Sequence, residues 1–128
     1  NEAQISVRKL IKNIEESTKL QSKIAKTQIS FGSEGVGNVL YLNSLRKKDN
    51  RMIGVFRGKK EGEGFFRKAE ELLSGKFQGE FKKESRGEFS LSFAIPLDDV
   101  DNIQSLIDLT DRYISKFSNA SDDNAINE

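Results

Sequence analysis

Cysteine, histidine and tryptophan are missing from this 128-residue chain, and proline occurs once. Without cysteine there can be no disulfide and no thiolate metal site. Without histidine the commonest metal ligand and the usual general base are both gone. No apolar run approaches the roughly 18 residues that would suggest a membrane-spanning helix, and the N-terminal stretch lacks the apolar core of a signal peptide. The expectation is a cytoplasmic protein with no membrane attachment and no cofactor. Its first residue is Asn, not Met, which leaves an upstream segment open.

What the chain does have is charge. Charged residues make up 32% of it against 35% apolar, so a small core lies under a heavily solvated surface. Nine Phe and two Tyr supply the large side chains, and they fall in periodic segments, as a folded single domain of this length requires. The net charge of +1 conceals a division. Residues 1–60 carry 13 Lys and Arg against 5 Asp and Glu, and residues 61–128 carry 8 against 15. Such a split marks either a basic binding face or two solvated faces that neutralise each other on folding.

The clearest pattern runs from Gly87 to Phe117. Phe89, Leu91, Phe93, Ile95 and Leu97 alternate with Glu88, Ser90, Ser92 and Ala94, the period of a half-buried strand. After Pro96 the period becomes helical, with Ile103, Leu106, Ile107, Ile114 and Phe117 on one stripe. Asp98, Asp99 and Asp101 precede that helix as candidate caps, and Asp101 with Gln104 has the form of a capping box. At the other end, Ile5, Leu10, Ile11, Ile14, Leu20 and Ile24 predict a helix over 5–26 with Arg8, Lys9, Lys12, Lys19, Lys23 and Lys26 on its polar face.

Between these lie strands at Thr27–Phe31, Val39–Asn43, Arg51–Arg57 and Lys76–Glu84, and a helix over 63–74 ending at Gly75 in a left-handed cap. Gly32, Gly35 and Gly37 form a hairpin connection; a strand follows them, unlike a phosphate-binding loop. The order is α-β-β-β-α-β-β-α. It predicts a single α+β domain over 1–117 with a mainly antiparallel sheet of about five strands, helices packed mostly on one face, and a polar acidic tail over 118–128. Asn119-Ala120-Ser121 has the form of a glycosylation sequon and is read as chance.

Chemistry is sparsely signalled. Glu80-Phe81-Lys82 has the strand-borne spacing of metal-dependent nucleases but no acidic partner within the preceding strand. The aspartates near 98–101 lack the spacing of a calcium loop. Whether the chain is an enzyme stays open, with a non-catalytic role the main expectation and no metal site assigned.

With Gly58-Lys59-Lys60 just before the second helix, the first five elements loosely resemble, in order, a double-stranded RNA-binding domain. That family sets its lysines at the helix N-terminus, where Glu61 and Glu63 stand here. With Ser30-Phe31-Gly32 as the sequence-level echo, the whole chain also resembles in element order the N-terminal DNA-recognition modules of modification-dependent restriction systems. Membership of neither is inferred, and no functional residue is carried over from either.

The leading expectation is a non-catalytic nucleic-acid-binding accessory domain that meets the phosphate backbone through Arg46, Lys47, Lys48, Arg51, Arg57, Lys59 and Lys60. The alternative is a protein–protein interaction module (an inhibitor, immunity or docking protein) or a self-associating chain without nucleic-acid binding.

Overall fold

The computed structural model describes residues 2–59 and 62–117; of Lys59 it describes the backbone alone. The acidic tail and its sequon lie outside those residues, as does Lys60. In chain order the elements are α1 (Glu2–Ser17), β1 (Gln21–Ile24), β2 (Ile29–Ser33), β3 (Gly37–Arg46), β4 (Arg51–Lys59), α2 (Glu63–Leu73), β5 (Glu80–Lys83), β6 (Glu88–Pro96) and α3 (Gln104–Phe117). The strands form one sheet in the order β1-β2-β3-β4-β6-β5, and every neighbouring pair is antiparallel.

The α+β class and the one-sided helical layer are as the sequence predicts, with one strand more than expected. That strand comes from the first helix, which ends at Ser17 instead of running to 26. Thr18 ends it: its hydroxyl donates to Ile14 O and accepts from Leu20 N, drawing the chain out of the helical path. Glu15 then holds the new direction, its carboxylate accepting from both the amide and the hydroxyl of Ser22 at 2.9 and 2.6 Å. Lys19, Lys23 and Lys26 are therefore not on a helix, and Ile24, expected in the core, is exposed.

β6 shows why one face is covered. Phe89, Leu91, Phe93 and Ile95 enter the core beneath the helices, whereas Ser90, Ser92 and Ala94 face away. The pairing with β4 places Met52, Gly54 and Phe56 on the core side and Ile53, Val55 and Arg57 on the outer side. Gly54 lies under the Phe93 ring, where an added Cβ would come within 2.5 Å of the ring and 2.8 Å of Tyr41 O. A glycine inside a strand here marks a close approach.

β3 carries two bulges, between its pairings with Gly32 and Phe31 and between Leu42 and Ser44. The first puts the consecutive residues Val39 and Leu40 both into the core, and the second leaves Asn43 and Ser44 both exposed. Tyr113 of α3 lies between Phe66, Phe56 and Phe117, with ring centroids 5.8, 6.4 and 4.8 Å away. Its hydroxyl donates to Arg57 O at 2.9 Å, so the helical layer is tied to the backbone of β4.

Two local expectations change. Gly75 is not left-handed; Gln78 takes that conformation, with φ of 53°, and β5 begins only at Glu80. Asp98 and Asp99 lie in a single turn of 3-10 helix over Leu97–Asp99, and Asp101 follows it, three residues ahead of the start of α3 at Gln104. Asp99 accepts from the side chains of Lys76 and Asn102 instead of capping the helix.

Two outcomes follow. Gly54→Ala lowers stability by about 1–3 kcal/mol through overpacking against Phe93, measurable by urea denaturation. The Glu15 carboxyl is held below its ordinary value of 4.5, first by the Ser22 hydroxyl and then by the Ser22 amide. A depressed carboxyl contributes stability that is fully present above its unfolded pKa and is lost as pH falls through the folded one. The difference in Tm between the wild type and Glu15→Ala is therefore largest near neutral pH and closes below pH 4.5.

Candidate nucleic-acid interface

Of the seven cations singled out in the sequence, the five whose side chains are described all belong to the β3–β4 hairpin, but the fold sends them to different places. Arg46 and Arg51 are opposite each other at one end of the outer face, and both are engaged. Asp49, in the turn between them, accepts two hydrogen bonds from Arg46, at 2.8 and 2.7 Å, and lies 3.6 Å from Arg51 Nε.

The same two side chains reach across to the loop at 74–79. Arg46 donates to Gln78 Oε1 at 2.7 Å. Arg51 donates to Lys76 O at 2.8 Å and to Ala94 O at 3.3 Å. Phe77 is buried within that loop, and its carbonyl accepts from Ala94 N. Lys76 completes the attachment through Asp99 at 2.7 Å. Hydrogen bonding from Arg46 holds the Asp49 carboxyl below the usual carboxylate range and raises the guanidinium in turn. Hydrogen bonds from Lys76 and Asn102 do the same to Asp99. These arginines fasten a loop to the sheet.

Lys47 and Lys48 are exposed in the 3-10 turn over Lys47–Asp49. Lys47 turns toward the helical side, where it lines depressions on both flanks of α1. Arg57 stands apart from these four. It is exposed on the uncovered face with its guanidinium 5.5 Å from the centre of the Tyr41 ring. The backbone of Lys59 ends the same strand eight residues beyond Arg51, about 27 Å away at ~3.4 Å per residue. The five whose side chains are described therefore form no single patch.

The register defines the rest of that uncovered face. One row across it runs Lys23, Ser30, Tyr41, Val55, Ser92 and Glu80, and the next holds Arg57, Ser90 and Lys82. The side chains directly beside Tyr41 in that row are the small Ser30 and Val55. Lys23 and Lys82 stand near opposite edges, about 24 Å apart across five strand spacings, with Glu80 and Glu88 also on this side. The sequence places Lys23 on a helix and Lys82 in the Glu80-Phe81-Lys82 spacing, and does not single out Tyr41. The signal for Tyr41 was present, since Tyr41 lies out of phase with the apolar residues Leu40 and Leu42.

Among the described residues no group of three or more carboxylates is placed to hold a metal ion, and no helix is long and apolar enough to cross a membrane. Glu80 and Lys82 do share the outer side of β5, two register positions apart. No family model, curated protein or solved structure matches this chain.

Asp49→Ala removes the acceptor shared by Arg46 and Arg51. Hydrogen exchange should then quicken at the amides of Gly75–Glu80, with a lower Tm, while the amides of β2 keep their protection.

Proposed function

We propose that this chain is a non-catalytic nucleic-acid-binding module whose working surface is the helix-free face of the sheet. The observation that carries the reading is the pairing of Arg57 with Tyr41 at the centre of that face. A guanidinium over a phenol ring is a planar, cationic platform on which an unstacked base can lie, with a phosphate within reach of the charge. Lys23 and Lys82 add backbone contacts on either side, and the small Ser30 and Val55 beside Tyr41 let a single strand approach the sheet. With Arg46 and Arg51 committed to the loop at 74–79, the binding cations are Arg57, Lys23 and Lys82.

A second reading is a protein-interaction module, inhibitor-like or a docking domain. What favours it is an apolar groove on the opposite side of the sheet.

The first reading is tested by fluorescence anisotropy with labelled short dT and rU strands. Binding at low ionic strength should weaken with a slope of log K against log salt of about −2, as about three phosphate contacts to a single strand require. Arg57→Ala and Tyr41→Ala should each cost about tenfold in affinity, within the range for a stacked base. Neither change should move Tm by more than a few degrees, because the Arg57 atom that Tyr113 holds is the backbone carbonyl. Absence of salt-sensitive binding to both strands overturns the reading.

A further inference from the structure

The helical layer does not close over the β1 edge of the sheet. Leu10 and Ile14 of α1 are fully buried, but Ala3, Val7 and Ile11, spaced four apart along the helix, are only half-buried. They face Ile24 of β1, Ile29 of β2 and Leu45 of β3 across a groove of about 510 Å³. Ile24 stands at its rim with 74% of its surface exposed. The groove exists because Thr18 ends α1 and sends the chain back as β1, carrying Ile24 out to the edge.

The charges around it have one sign. Of the nine lining residues six are apolar, two are the cations Arg8 and Lys47, and none is a carboxylate. On the far flank of α1 the character changes: Glu2 and Asp98 line the depression there together with Lys47. A volume of this size accepts one or two large apolar side chains, and the cations favour a carboxylate beside them.

We propose that the groove between α1 and the β1–β2 edge is a docking site for a short acidic–apolar segment of a partner protein. Its apolar residue seats against Val7, Ile11, Ile24 and Ile29, and its carboxylates meet Arg8 and Lys47. Because β1 has only four residues and carries Lys23, the mode is insertion of side chains into the groove and not the addition of a strand to the edge. The site is on the helical side of the sheet, so it stands or falls apart from the nucleic-acid reading of the opposite face.

The experiment is selection of random dodecapeptides displayed on phage against the whole chain, with Ile24→Glu and Arg8→Glu/Lys47→Glu as counter-targets. All the altered side chains are exposed, and an unchanged Tm by circular dichroism checks that each variant is folded. Enriched peptides should combine Leu, Ile or Phe with Asp or Glu, and lose about tenfold or more in affinity on Ile24→Glu. The charge-reversed variant should enrich basic–apolar peptides instead. Arg57→Ala should bind the selected peptides as the wild type does. The proposal is overturned if nothing is enriched, if enriched peptides carry no acidic bias, or if they bind Ile24→Glu equally. It is also overturned if light scattering shows a dimer that Ile24→Glu dissociates, since the occupant is then a second copy.

Discussion

The nine-pair antiparallel ladder between β4 and β6 is what the other elements depend on. It joins two strands distant in sequence and fixes which residues face the helices. A shift of one residue would turn Phe89, Leu91, Phe93 and Ile95 outward and bring Ser90 and Ser92 under α2 and α3. Gly54 opposite Phe93 guards that register, since the ring has room only where no Cβ stands. Tyr113 adds a second lock from the helical layer by bonding to the backbone of the same ladder. With the centre fixed in this way, the β1–β2 edge and the β5 edge can be short and carry few core residues.

This arrangement divides the molecule into a dry side and an outer side. The three helices and nearly all the large apolar residues are on the first. The second holds small hydroxylated residues, one tyrosine and scattered charges of both signs. A plain antiparallel sheet with one solvated face looks much the same, and several features of the outer side bind the chain to itself. The cluster of Arg46, Asp49 and Arg51 is the chief example. It has the composition of a binding site, and its hydrogen bonds go to a loop of the same chain.

The alternation of β6 and the stripe of α3 were legible because both are long and each obeys one period throughout. The end of α1 was not. Leu20 and Ile24 continue its apolar spacing, and what stops the helix is a pair of side-chain bonds, from Thr18 locally and from Glu15 to Ser22 seven residues on. The candidate site was legible only as composition. Nothing near Arg46 or Arg51 in the sequence announces partners 32 and 25 residues away. The groove beside α1 was hidden for a related reason: its lining comes from α1, three strands and the turn after β3, and the helical spacing that takes in Ile24 outruns the helix by seven residues.

The chain has two tyrosines and no tryptophan, and the fold puts one tyrosine on each side of the sheet. Tyr113 is packed among phenylalanines with its hydroxyl bonded, while Tyr41 lies half-exposed beneath a guanidinium. All of the protein's near-ultraviolet emission under selective excitation thus arises from two fluorophores that report on different surroundings. Light emitted from Tyr41 is open to quenching by anything that settles on the bare face, and light from Tyr113, half-buried against the core on the other side, registers loosening of the helical layer. The protein carries its own pair of optical labels, one for occupancy and one for integrity.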